Sequence, residues 1–78
     1  MRFILKGKAY ELTKEEVERM MVGIQPETAW KYFIIINGKK FPPKQVIAKA
    51  LNLGRVQFTT MAATNILERL GFKLQRSE

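Results

Sequence analysis

The sequence contains no cysteine, no histidine and no aspartate, and its one serine is Ser77. Without cysteine, a disulfide framework and a thiolate metal site are both excluded. Metal-dependent phosphodiester cleavage needs carboxylates or imidazoles that converge on an ion, and nucleophilic catalysis needs a base beside the nucleophile. Seven glutamates, four of them bunched near the N-terminus, do not supply such a set. We therefore expect no enzymatic activity, no metal site and no cofactor in this chain.

Long apolar runs are also absent. No run approaches the roughly 20 residues needed to cross a bilayer, and the N-terminal segment has only three consecutive apolar residues, 3–5, before Lys6. This segment does not have the pattern of a signal peptide, so we expect a cytoplasmic protein with no membrane partner. The hydrophobic fraction of 46% and the charged fraction of 27% are ordinary for a globular protein. A length of 78 residues predicts one small domain, 1–78.

Acidic side chains are missing from one long part of the chain. Fourteen lysines and arginines against seven glutamates give a net charge of +7, yet residues 28–67 contain no carboxylate side chain. The cations inside this stretch are Lys31, Lys39, Lys40, Lys44, Lys49 and Arg55. Segregated positive charge is typical of a surface that faces a polyanion. Nucleic acid is therefore the favoured partner, ahead of a solvated basic face or an acidic protein.

Residues 30–52 predict a strand, a tight turn, a short returning strand and a helix. Residues 30–36 are almost all β-branched or aromatic, which suits a central, half-buried strand. Asn37-Gly38 can adopt the positive φ angles of a type I′ turn. Pro43 suits the first turn of a helix, because its missing N–H has no intrahelical partner. We expect this hairpin-to-helix corner to be the working surface.

The N-terminal part of the chain predicts a weak hairpin or extended segment over 1–12, followed by a helix. Thr13 is a favourable N-cap, and Glu16 three residues later completes a capping box. The helix has an apolar stripe with i, i+3, i+4, i+7 spacing, which predicts core packing. That stripe is Val17, Met20, Met21 and Ile24, and residues 25–27 are expected to end the helix.

The C-terminal part predicts a second pair of helices. Gly54 is expected to stop the helix that Pro43 opens. Thr59 or Thr60 then caps a helix that ends at Gly71. A short strand over 72–74 and a polar tail over 75–78 would complete the chain. The fold class is therefore α+β: a hairpin or short antiparallel sheet packed on three helices, the last two in a helix-turn-helix-like corner.

Side chains of three kinds are candidates for contact with nucleic acid. The candidates for phosphate contacts are Lys39, Lys40, Lys44, Lys49, Arg55 and Lys73. The candidates for base edges are Gln45, Thr60 and Asn65, because amides and hydroxyls can pair with bases in the major groove. Trp30 and Tyr32 could stack on an extruded base, although packing on the helices is the favoured interpretation of both rings.

The order of motifs resembles a known module. The residues that carry the resemblance are KYFIIINGKKFPPKQVIAKALNL, then FTT, then ATNILERLGFKL, and the resemblance as a whole covers about 13–74. They are similar to the N-terminal head domain of McrA-type, HNH-containing, modification-dependent restriction endonucleases and of related stand-alone modules. The resemblance implies a DNA-binding domain that serves a nuclease of a restriction-modification or defence system. No nuclease domain follows in this sequence, and the connector over 54–58 is short, so we expect duplex DNA binding rather than recognition of modified cytosine.

Two further functions are compatible with the sequence. One is a protein-interaction or scaffold domain that docks an acidic partner or self-associates through the hairpin edge. The other is RNA binding, which the basic hairpin would suit, although no RNP-type aromatic motif or GXXG loop is present. The sequence predicts neither the oligomeric state nor the recognised base sequence.

Overall fold

Short antiparallel sheets and three helices build the part of the chain that this computed structural model describes, residues 1–28, 31–54 and 57–76. The predicted α+β class is confirmed. In chain order the elements are β1 (Arg2–Leu5), β2 (Lys8–Glu11), α1 (Lys14–Met20), β3 (Tyr32–Ile36), β4 (Lys39–Phe41), α2 (Pro43–Leu51), α3 (Thr60–Leu70) and β5 (Leu74–Arg76).

The N-terminal hairpin and the start of α1 form as the sequence predicts. Strands β1 and β2 pair antiparallel across a turn at Lys6-Gly7. The Oγ1 of Thr13 accepts a hydrogen bond from the Glu16 backbone N–H at 3.1 Å, and the Thr13 N–H donates to the Glu16 carboxylate at 2.9 Å. This reciprocal pair satisfies two backbone donors that a helix start otherwise leaves without partners.

The second sheet has the order β4-β3-β5, so β3 is the central strand, as predicted. Asn37 and Gly38 have φ angles of 54° and 79°, which is the double positive turn that Asn-Gly favours. The Asn37 side chain also donates to the Glu18 backbone carbonyl at 2.9 Å, which fixes the turn against α1. This hydrogen bond therefore joins the β3–β4 hairpin to α1.

The hydrophobic core lies between this sheet and the helices. Directly opposed residues of antiparallel strands share a face of the sheet, and β3 pairs Ile34 with Phe41 on one side and with Leu74 on the other. Ile34 and Phe41 are fully buried. The helices contribute further fully buried side chains to this core: Val17, Val46, Ile47, Ala63 and Leu67.

Three element boundaries differ from the predictions. Helix α1 ends at Met20, which is partly exposed, so Ile24 lies beyond the helix and residues 25–27 do not end it. Helix α2 is stopped by Asn52 in the left-handed conformation (φ 56°), not by Gly54. Strand β5 covers 74–76, because Leu74 and Arg76 pair with β3. The tail expected at 75–78 is thus partly sheet.

Candidate nucleic-acid interface

An open groove of about 510 Å³ lies where β3 begins and where α2 and α3 begin. Among the described residues, its lining includes two lysines, a tyrosine, a threonine and one acidic residue. The lining residues are Glu27, Thr28, Lys31, Tyr32, Pro42, Pro43, Lys44 and Thr60. Three predicted site residues, Tyr32, Lys44 and Thr60, therefore come together from separate elements.

Lys44 is held in the first turn of α2. Its side chain is half-buried, and its Nζ lies 5.8 Å from the ring centroid of Phe58. Phe58 is buried in the core just before α3, so the ring that Lys44 contacts has a fixed position. A cation placed on an aromatic face keeps its charge and loses conformational freedom. Lys44 is consequently a pre-positioned cation rather than a freely moving surface lysine.

Tyr32 lines the groove and is 40% exposed, so part of its surface is open to a ligand. The favoured prediction that Tyr32 packs on the helices stays a prediction. Arg76 is its directly opposed partner on β5, and the guanidinium carbon lies 6.0 Å from the ring centroid. An arginine thus covers part of the ring, and any base that stacks there must share the site with a cation.

Thr59 and Thr60 have different tasks at the start of α3. The Thr59 hydroxyl accepts from the Ala62 backbone N–H at 3.1 Å, so Thr59 is the N-cap. Thr60 is the first helical residue, is exposed and lines the groove. Because Thr59 is the N-cap, the hydroxyl of Thr60 is not needed for capping and can contact a ligand.

Gln45 does not reach a base edge, which corrects the prediction. Its side chain is only 8% exposed. Its Nε2 donates to the Gln25 backbone carbonyl at 2.8 Å, and its Oε1 accepts from the Glu27 backbone N–H at 2.8 Å. A buried carboxamide with both polar groups bonded holds structure in place. Gln45 fixes residues 25–27, the segment that supplies one wall of the groove.

Lys39 and Lys40 do not join Lys44 at one corner, contrary to the prediction. Lys39 opposes Ile36 and Lys40 opposes Ile35, so the two side chains leave β4 on opposite faces. Lys40 lies over the outer face of the sheet, with its Nζ 4.9 Å from the centroid of the Phe33 ring. Lys39 stands at the turn end of the hairpin, roughly 13 Å along the strand from the groove end at 3.3 Å per residue.

The remaining predicted residues lie apart from the groove lining or outside the described residues. Lys49 is exposed in the last turn of α2, Asn65 is on the exposed face of α3, and Lys73 is exposed just before β5. Trp30 and Arg55 lie outside the described residues.

Two cations at the groove were missed by the residue-level predictions. Lys31 lines it, and Arg76 meets it through Tyr32. Lys31 belongs to the acid-free stretch and could have been chosen on that ground. Arg76 could not, because only the pairing of β5 with β3 brings it near.

Within residues 1–28, 31–54 and 57–76, no cluster of three or more His, Cys, Asp or Glu side chains could hold a metal ion. Over the same residues, no helix has both the length and the apolar character required to span a membrane.

Comparison with known proteins gives one match, which covers the entire chain. Residues 1–78 match the model of the SCO5918-like family. The chain belongs to the SCO5918-like family. No curated protein and no solved structure matches this SCO5918-like chain.

Proposed function

We propose that this SCO5918-like chain is a non-catalytic DNA-binding module that holds duplex DNA at the groove formed by β3, α2 and α3. The observation that carries the proposal is the groove that Lys31, Tyr32 and Lys44 line together, with Arg76 against the Tyr32 ring. Lysine and arginine neutralise phosphates without demanding exact geometry. The groove is therefore a positively charged binding site for a phosphodiester backbone, and it has an aromatic ring at its edge.

The distribution of acids supports a polyanionic ligand. The acid-free residues 28–67 fold into the central hairpin, α2 and most of α3, which are the elements that frame the groove. Three of the seven glutamates lie instead on α1. At the groove itself, two lysines stand against one glutamate, Glu27, and Arg76 lies against the Tyr32 ring, so cations outnumber acids there.

The corner between α2 and α3 supports duplex DNA over other nucleic acids. The two helices are consecutive and pack against each other, as in a helix-turn-helix pair. In such a pair the N-terminal turn of the second helix approaches base edges. Thr60 lies in that turn, and Met61, Asn65 and Glu68 are exposed on the same helix. The threonine and the asparagine can both bond to bases.

The resemblance to McrA-type head domains supports a further part of the proposal. A nuclease to which the module is fused or bound would carry out cleavage, and this module would bring it to DNA. The module itself would contribute affinity and placement, not chemistry.

Self-association through the hairpin edge is less well supported. Strand β4 is an edge strand of only three residues, and two of them are exposed lysines. Short edges that carry lysine resist pairing with a second copy. A gel-filtration measurement in which the chain elutes as a dimer, unchanged by added DNA, would favour a scaffold function instead.

The proposal is tested by fluorescence anisotropy with a labelled duplex over a range of salt concentrations. Three groove cations predict that log K falls with log salt at a slope of about −2.7 or steeper. Lys44→Gln should reduce the steepness of this slope by about 0.9 and weaken binding to all sequences alike. Structured RNA and single-stranded DNA serve as competitors at the same salt concentration. If RNA binds more strongly than duplex DNA, the ligand of the groove is RNA and not DNA.

The matched control is Lys39→Gln, which removes one charge at the turn end of the hairpin. It should change the slope less than Lys44→Gln does. If wild-type binding does not depend on salt, the chain does not bind DNA through its cations and the proposal is wrong. If the two variants weaken binding equally, the groove is not the contact surface.

A further inference from the structure

A second groove, of about 470 Å³, opens beside the N-terminal hairpin. It is formed by the turn end of that hairpin and by residues 53 and 57, which lie between α2 and α3. Its described lining residues are Leu5, Lys6, Lys8, Tyr10, Leu53 and Gln57. Two lysines and no acid are among these residues. The groove thus combines positive charge with an aromatic and aliphatic floor.

The two lysines of this groove are held in place by the hairpin. Lys6 has a φ angle of 54° at the turn, and Gly7 beside it has 76°, so the backbone places Lys6 at the tip. The Nζ of Lys8 lies 5.5 Å from the Tyr10 ring centroid. Tyr10 in turn stacks on Phe3, a core residue, with 5.8 Å between ring centroids. The chain of contacts orients one ammonium group and leaves it exposed.

Charge on the hairpin is concentrated at this end. Lys8 is paired with Leu5 next to the turn, whereas Glu11 is paired with Arg2 at the open end of the hairpin. The acid of β2 therefore lies next to an arginine and away from the groove. An anion that approaches the turn meets Lys6 and Lys8 first.

The two grooves reach the same short segment before α3. Gln57 lines the second groove and Thr60 lines the first. Three residues of chain span at most about 10 Å. Phe58 between them is buried in the core, and the Gly54 backbone N–H donates to the Gln57 side chain at 3.1 Å. The segment is anchored at both ends, so the separation of the grooves is fixed by the fold.

We propose that the second groove is a second phosphodiester-binding site, in which Lys6 and Lys8 hold the backbone of the same duplex that occupies the first groove. This inference rests on the proposed DNA binding and extends it. The major groove of B-DNA is about 12 Å wide and has a phosphate backbone along each side. A helix start that enters it meets phosphates on both sides. In the proposed arrangement, the groove lined by Thr60 contacts one backbone and the groove lined by Gln57 contacts the other.

The inference is tested with the double variant Lys6→Gln/Lys8→Gln in the salt titration of duplex binding. Removal of two phosphate contacts should reduce the steepness of the slope by about 1.8 and weaken binding to all sequences. The control is Arg2→Gln/Arg19→Gln. Both double variants lower the net charge from +7 to +5 (7 − 2), but Arg2 and Arg19 lie outside both grooves. Thermal melts of all variants establish that each is folded before binding is measured.

Binding to a labelled single strand distinguishes contact with both backbones of a duplex from a general loss of positive charge. A single strand has one backbone, so it cannot fill both sides, and Lys6→Gln/Lys8→Gln should reduce its binding less than that of the duplex. The inference is overturned if Lys6→Gln/Lys8→Gln binds the duplex as tightly as Arg2→Gln/Arg19→Gln does, while Lys44→Gln still weakens binding. That result leaves the proposed function intact. If the wild type itself binds no duplex, the proposed function and this inference fail together.

Discussion

The Nε2 of Gln45 donates a hydrogen bond of 2.8 Å to the backbone carbonyl of Gln25, twenty residues earlier in the chain. The same carboxamide accepts from the Glu27 backbone N–H through its Oε1. The segment over 25–27 has no helix or strand to satisfy its backbone groups. A side chain of α2 takes that role, and in doing so it fixes one wall of the cationic groove.

Gln45→Leu should lower the free energy of unfolding by about 1–3 kcal/mol. The substitution removes two part-buried hydrogen bonds and takes away the partner that the carboxamide gives to the Gln25 carbonyl and the Glu27 N–H. For a domain of this size, this corresponds to a fall in melting temperature of about 4–8 °C per kcal/mol. The control is Gln25→Leu, which keeps the backbone carbonyl and changes only an exposed side chain. Equal melting temperatures for the two variants would show that the carboxamide bonds do not hold this segment.

Thr59→Ala should lower the free energy of unfolding by about 1 kcal/mol, because it removes the N-cap of α3. Thr60→Ala should change it by less than about 0.5 kcal/mol, since Thr60 is exposed and caps nothing. Urea denaturation of the two variants measures both values. At temperatures where both variants are folded, Thr60→Ala should lose more affinity for DNA than Thr59→Ala does. A larger loss of stability in Thr60→Ala would mean that the cap has been misassigned.

Gly38→Ala should destabilise the fold by about 1–2 kcal/mol, because a side chain at a φ of 79° is strained. Gly54→Ala should be neutral or should stabilise the fold by about 0.4–1 kcal/mol, since it restricts the unfolded chain. A Cβ at residue 54 would meet only the Gln57 side chain, at 4.0 Å. Thermal melts compare the pair. Destabilisation by Gly54→Ala would restore Gly54 as the residue that stops α2, in place of Asn52.

Asn65→Ala should relax the base preference of the protein at one position of a site selected from a random duplex pool. A bidentate contact to a base accounts for about 1–3 kcal/mol of discrimination. Overall affinity should fall less than it does in Lys44→Gln at low salt, because phosphate contacts dominate there. The readout is the selected consensus of the wild type beside that of the variant. An unchanged consensus would place the outward face of α3 away from the bases.

Local features of this protein were predictable from residues close together in the chain. The capping box joins Thr13 to Glu16, and the hairpin reverses at Asn37-Gly38. The helix over 43–51 begins at a proline because of the backbone geometry of that one residue. Each of these features depends on contacts within about four residues, so the sequence pattern was sufficient. The central position of β3 in its sheet was also predictable, from the apolar character of both faces of that strand.

The composition of the groove was less predictable. The structure brings Lys44, Tyr32 and Thr60 together at one groove, a grouping that the sequence did not predict. Gln45 was predicted to contact a base edge, but it is bonded to 25–27. Burial of a side chain depends on which distant segment lies over it, and no local pattern around Gln45 reports that segment. Arg76 was placed in a polar tail for the same reason.

The order of helices and strands, the turn at Asn37-Gly38 and the sign of the charge follow from residue type and short-range backbone preference, so the sequence was enough to predict them. Only the packing of the chain sets which cations share a surface. It sends Lys39 and Lys40 to opposite faces of one strand, and it brings Lys31, Lys44 and Arg76 together from three separate parts of the chain. The physical reason is that a surface is defined by proximity in space, and proximity between distant residues is set by strand register and helix packing.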